Sequence, residues 1–289
     1  MRNSSCSKDQ AARRAKRNAA ALRAAVYAGA GICVAVLARI LVYILVKGVP
    51  NLTPELFSLQ YTSENASVVP ALLNTLVIVV LSLAIAVPLG IFSAIYLVEY
   101  AKKGNRFVKV VRVTAETLAG IPSIVYGLFG YLLFVTTLGF GYSLLAGALT
   151  LSIMILPVIL RTTEEALQSV SDLYREGSFG LGAGKLRTVF RIVLPSAAPG
   201  ILAGVILAVG RLVGETAALI FTAGTVAQTP DSLLGSGRTL AVHLYALWNE
   251  GLATEKAYAT AVILLVLVAG INTLSSVLAS KWTKGNKNG

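Results

Sequence analysis

Charge is scarce in this chain. Asp, Glu, Lys and Arg make up 13% of its 289 residues, about half the roughly 25% usual in a soluble domain. That excludes an ordinary water-facing globular surface. Cysteine is scarce as well. Cys6 stands in the basic N-terminal stretch and Cys33 in the first apolar run, so no disulfide framework is expected. Histidine occurs once, at His243. With no cluster of metal-ligating residues beside it, His243 reads as a surface or packing residue. Neither a Ser–His–Asp set nor a paired-carboxylate arrangement stands out, so nothing points to an enzyme.

What fills the chain instead is apolar. Hydrophobic residues make up 56% of it, and mean hydropathy is +0.75. Six windows can each cross a bilayer, which takes about 20 mostly apolar residues. They are 24–46, 68–98, 113–137, 142–160, 198–222 and 257–280. The runs are continuous rather than alternating, which disfavours a β-barrel. The first run is longer than a signal-peptide core of roughly 7–15 residues, so it is expected to be an uncleaved span. The second contains Pro88 and Gly90 and is expected to kink or tilt. The link at Gly139-Phe140-Gly141 makes spans three and four an antiparallel hairpin.

The net charge of +12 raises the question of nucleic acid, and its placement answers it. With a cytoplasmic N-terminus, the inside segments are 1–23, 99–112, 161–197 and 281–289. They hold 20 of the 25 Lys and Arg residues; the outside segments hold Lys47, Arg238 and Lys256. This is the positive-inside pattern. The run Arg13-Arg14-Ala15-Lys16-Arg17 reads as a topology determinant beside anionic lipid. Both termini are therefore expected in the cytoplasm, with no nucleic-acid role. Arg39 and Arg211 fall within spans. Arg39 is expected to snorkel or to meet a neighbouring carboxylate. Glu116 reads as solvated or helix-pairing, and Asn74 and Thr75 as interhelical hydrogen-bonding groups.

Two connections exceed simple turns, 161–197 inside and 223–256 outside, and long loops are usually functional. In the first, residues 164–175 read as a helix opened by acidic residues. Gly180, Gly182 and Gly184 should break it, and a second helix, Lys185 to Val193, should end before Pro195. That helix mixes Lys185, Arg187 and Arg191 with Leu186, Val189, Phe190 and Ile192. On physical grounds it either docks on a soluble partner or lies in the lipid interface.

Here a family pattern is present. Glu176, Gly182 six residues on, a nine-residue gap, then Ile192-Val193-Leu194-Pro195 resembles the EAA signature of ABC importer permeases. The two alanines of that signature are Gly177 and Ser178 here. The resemblance implies an all-α polytopic membrane protein, a type I ABC importer transmembrane domain with six transmembrane helices and a cytoplasmic coupling helix. The expected division is a basic tail 1–23, a first helix 24–46, a permease core 68–280 and a tail 281–289. It further implies that Glu176, Gly182, Lys185, Leu186, Arg187, Phe190, Ile192, Leu194 and Pro195 couple to a separate ATP-binding subunit. The string Gly180 to Lys185 is not a phosphate loop: Phe179 takes the first glycine position and Leu186 the Ser/Thr position. ATP and Mg are therefore expected on the partner, with no cofactor on this chain.

The fifth span carries Arg211 and Glu215. A charge at mid-bilayer costs at least ~2.5 kcal/mol. Drawn as a continuous helix, Gly200, Gly204, Ala208, Arg211, Glu215 and Thr222 share one face. The pair reads either as a structural ion pair or as an anion site. A hydrogen phosphate can donate to Glu215 and sulfate cannot, which favours phosphate. The stretch Arg211 to Thr222 resembles the R-x-x-G-E-T-A-P-L-x-F-T segment of the PstA family of phosphate permeases, with Ala218 in place of proline. Gly120-Ile121-Pro122-Ser123-Ile124-Val125-Tyr126-Gly127 resembles another segment of that family. The resemblance implies Arg211, Glu215 and Thr216 at the translocation site in a cytoplasmic (inner) membrane. It implies as partners a PstC-like second permease, two copies of a PstB-like ATPase and a PstS-like phosphate-binding protein. Sulfate or phosphonate as cargo, and an anion transporter independent of ATP, are the alternatives.

Overall fold

A computed structural model gives the fold and describes residues 3–102, 104–251 and 253–285. The Arg13–Arg17 run, Cys6 and residues 286–289 lie outside the residues whose side chains are described. Every regular element among the described residues is helical: α1 (Asn3–Gly48), α2 (Val69–Ile95), α3 (Arg106–Ala119), α4 (Ser123–Gly130), α5 (Leu144–Gln168), α6 (Asp172–Gly180), α7 (Lys185–Thr188), α8 (Leu194–Val213), α9 (Ala217–Thr222), α10 (Leu240–Glu250) and α11 (Thr254–Gly285). Five single helical runs are long and apolar enough to span a membrane, and a bent pair makes a sixth. In a span every backbone donor and acceptor is satisfied internally, which leaves the helix as the local solution.

The core lies between α2, α5, α8 and α9, where Ile78, Leu151, Ile155, Leu212 and Leu219 are fully enclosed. Polar side chains bind α2 to α5 across it: Ser82 Oγ donates to Ala148 O at 3.1 Å and Ser152 Oγ to Ser82 O at 3.3 Å. In lipid such bonds and close packing replace the hydrophobic drive. The chain has two ends. The basic end gathers the tips of α2, α5 and α8 with α3, α6 and α7. The loop end gathers residues 49–68 and 223–251. There, Asn74 Nδ2 donates to Gln228 O and Arg238 O, at 3.0 and 3.2 Å, and Thr75 Oγ1 accepts from the Leu240 N–H at 2.8 Å.

Four sequence expectations change. The third span is not one run over 113–137. It is α3, then a bend of 103°, then Ser123–Thr137. Pro122 lacks an N–H and disfavours a helical residue before it, so the helix cannot pass Gly120-Ile121-Pro122. The Tyr126 hydroxyl ties the two legs together by donating to Leu118 O at 2.8 Å. The fifth span does not run unbroken through 198–222, because α8 ends at Val213 and α9 begins at Ala217. The expected helix 164–175 is instead the end of α5 and the start of α6, separated by a cap in which Ser171 accepts from the Leu173 N–H. Finally, the helix from Lys185 does not end before Pro195. Lys185–Val213 is one helical run. Its wide π turn, Val189–Val193, leaves the ordinary ladder just where Pro195 has no donor to give.

Candidate coupling and translocation sites

At the basic end, α6 stands out from the bundle and is anchored by one side chain. Arg175 donates to Glu99 Oε1 from Nη2 (2.7 Å) and Nε (3.1 Å), to Val170 O (2.7 Å), to Leu167 O (3.0 Å) and to Asp172 Oδ1 (3.0 Å). All three guanidinium nitrogens are used, a fork that lysine cannot reproduce. Gly182, at φ +82°, turns the chain from α6 into α7, a conformation glycine adopts without strain. Ser178 Oγ and Thr188 Oγ1, 2.8 Å apart and buried, pin the turn from below. Lys185 lies over the Tyr100 ring at 5.0 Å.

The signature residues divide accordingly. Glu176, Gly182, Lys185, Leu186, Arg187 and Phe190 are exposed, whereas Ile192, Leu194 and Pro195 are half-buried. Beside them Leu173, Tyr174 and Phe179 are exposed, and Leu181 is 91% exposed. The outcome is a rigid, apolar and basic protrusion. Arg175, Glu99 and Thr188 escaped sequence reasoning. An Arg and a Glu near the ends of neighbouring spans were visible, but so were several other such pairs. Arg112 and Glu164 form one of these nearby.

Within the membrane region, Arg211, Glu215 and Thr216 do not form one cluster. Arg211 is half-buried in the last turn of α8. It lines a cavity of about 580 Å³ with Ala203, Ile206, Leu207, Gly210 and, from α11, Val268 and Asn272. Its charge also acts on Tyr126, just past the α3–α4 bend. Glu215 is 8% exposed and turns elsewhere: Oε1 accepts from the Ala218 N–H at 3.1 Å. Among the described residues no ion pair joins Arg211 to Glu215. Thr216 lines a separate apolar cavity of about 490 Å³ with Leu244, Tyr245, Trp248 and Tyr258.

The shared face drawn for an unbroken helix is therefore divided. Gly200 and Gly204 lie against Ala166 and Thr162 of α5, and Thr222 is buried on α9. The reason is local. Gly214 caps α8, and the Glu215 carboxylate binds a free N–H of the next helix in place of continuing the ladder. Ala218 matters here, since proline at this position has no N–H to offer. Gly127 brings α4 onto the same point, because a Cβ there would stand 2.8 Å from Ala218 Cα. The two segments carrying the PstA resemblance thus pack directly on each other. Arg39 is exposed on α1, and Glu116 is exposed on α3.

Comparison with known proteins agrees with this architecture. The profile of the family described as binding-protein-dependent transport system inner membrane component matches residues 86–284. The probable ABC transporter permease protein YqgI of Bacillus subtilis is 34% identical over 279 residues, covering 87% of this chain and 91% of that protein. The phosphate transport system permease proteins PstA of Mycobacterium leprae and Pasteurella multocida are 42% and 36% identical. They cover 70% and 80% of this chain, and 67% and 84% of their own lengths. Among solved structures, a bacterial alginate ABC transporter matches with a TM-score of 0.61 at 16% identity, covering 88% of this chain and 95% of that one. The MetNI methionine ABC transporter matches at 0.57 and 19%, covering 84% and 97%. At such identities these two speak for the fold alone. The chain belongs to the family of binding-protein-dependent transport system inner membrane components, and within it is PstA-like.

Proposed function

We propose that this chain is a permease subunit of an ATP-driven importer and carries inorganic phosphate across the cytoplasmic membrane by alternating access. One observation carries the cargo: Arg211 faces an otherwise largely apolar cavity within the membrane region without a carboxylate partner among the described residues. An uncompensated guanidinium there is expensive and is a ready oxyanion contact. The PstA relatives, named for phosphate transport, support the same cargo. Glu215 serves this site indirectly by holding α9 in place, and Thr216 lies on its flank. The N- and C-termini are cytoplasmic, as the lysine and arginine distribution supports.

The energy comes from a separate subunit. The α6–α7 protrusion docks on an ATPase of PstB type, present in two copies, which holds ATP and Mg. A PstC-like permease completes the pathway, and a PstS-like binding protein delivers phosphate at the loop end. Uptake of radiolabelled phosphate into proteoliposomes holding the whole complex tests this. Arg211→Ala is expected to lower uptake roughly a hundredfold, the scale of lost charged hydrogen bonds. Arg211→Lys keeps the charge but not the fork and should fall between. Glu215→Gln should transport well, because its amide oxygen still accepts from Ala218. Intact uptake in Arg211→Ala would sink the anion-site reading, and uptake without any ATPase subunit would sink the ATP-driven one.

A further inference from the structure

Arginine offers five donors and no acceptor. Arg211 alone therefore cannot tell a hydrogen phosphate from a sulfate of the same shape. The obvious acceptor, Glu215, is engaged with Ala218. Among the described residues the cavity holds one other polar side chain, Asn272 of α11. Its Oδ1 leans over the residue beside Arg211 and would lie 3.6 Å from a Cβ placed on Gly210. Asn272 is exposed, and its side chain makes no hydrogen bond to any described residue. It is also deep. At 1.5 Å per residue it lies roughly 20 Å along the helix from Tyr258, which packs on Tyr43 near the loop-end tip of α1. That places it inside a hydrocarbon layer about 30 Å thick, where an unpartnered amide is costly.

We propose that Asn272 is the second contact of the Arg211 site and reads the protonation of the anion. The guanidinium donates to charged oxygens, and Asn272 Oδ1 accepts the hydrogen of a P–OH. Phosphate carries such a hydrogen near neutral pH and sulfate does not. A neutral amide accepts without the repulsion a carboxylate would add. This inference rests on the reading of Arg211 as an anion contact.

The purified complex, without the delivery protein, is titrated with radiolabelled phosphate and competed with sulfate. Asn272→Ala is expected to weaken phosphate about tenfold and sulfate much less, since sulfate has no hydrogen to give Oδ1 and can meet only the Nδ2 donors. Arg211→Ala should weaken both; if it weakens neither, the underlying site reading fails instead. The inference is overturned if Asn272→Ala leaves phosphate affinity unchanged, or if both anions weaken alike. It is also overturned if the permease subunits cease to co-purify, which would make Asn272 a bond between subunits. Proteoliposome uptake gives a second reading: Asn272→Ala should slow phosphate about tenfold in complexes of normal composition, and an unchanged rate refutes the role.

Discussion

Buried at 0% exposure, His243 must stay neutral. Ala66 O can only accept, so Nε2 carries the hydrogen and donates across 3.2 Å, while Nδ1 has no partner among the described residues. Burial first, then the charge of Arg238, lowers its pKa to about 3, with the Ala66 bond opposing the shift. Arg238 is itself enclosed, with its guanidinium 4.7 Å over the Tyr61 ring, and Tyr61 meets the His243 ring edge-on. An unfolded histidine titrates near 6.5. Between that value and about 3 the unfolded chain takes up a proton that the folded one refuses, so stability falls as pH drops through this window. The melting temperature should decline from pH 7 to 4. The deficit of His243→Gln against wild type should shrink over the same range; a constant deficit would show that His243 is not the cause. Sequence left His243 as a surface or packing residue. The loops that enclose it come from positions far apart in the chain.

Elements fail to match the sequence windows wherever a span is interrupted. The bend at Pro122 was visible as a proline, yet the flanking residues also read as one apolar run. The break at Gly214–Thr216 was harder to see, because its cause is a side chain choosing a backbone donor. The junction of α6 and α7 was legible as glycines, whereas the residue holding α6 was not. Removing Arg175 takes from Glu99 its cationic partner and from the Val170 and Leu167 carbonyls their side-chain donor, in a largely buried place. Arg175→Ala should cost about 3 kcal/mol, read as thermal destabilisation together with new proteolytic cutting between residues 169 and 185. Arg175→Lys should recover only part of this. Wild-type stability in Arg175→Ala would mean that α6 is held by other contacts.

The whole molecule exposes more apolar surface than a water-soluble chain tolerates. Along α1, Val26, Tyr27, Ile32, Val34 and Leu37 are all more than half exposed, and this helix touches the bundle chiefly near its end, through Tyr43 and Gly48. Lipid or a second permease accounts for that face. The basic end differs, because its exposed apolar residues are interleaved with Lys185, Arg187 and Arg191 and stand clear of the bundle. Leu181 contributes little to the fold. Leu181→Asp should therefore leave the unfolding free energy within about 0.5 kcal/mol of wild type while weakening co-purification of the ATPase subunit about tenfold. Undiminished association would place the docking contact elsewhere. Cysteine crosslinks from residues 185–190 to that subunit provide an independent check.

Sequence by itself determined the membrane class, the six apolar windows, the unequal distribution of charge and the motif that places this chain among permeases. Those properties are local: each rests on apolar length, residue type or spacing along one segment. Tertiary structure decided which polar groups meet. It turned Glu215 from Arg211 to Ala218, enclosed His243, anchored α6 on Glu99 and set Asn272 across from Arg211. Each of these depends on where a helix breaks and what packs beside the break. Hydrogen bonds formed at range, between segments up to 215 residues apart, leave no periodic trace in a single sequence.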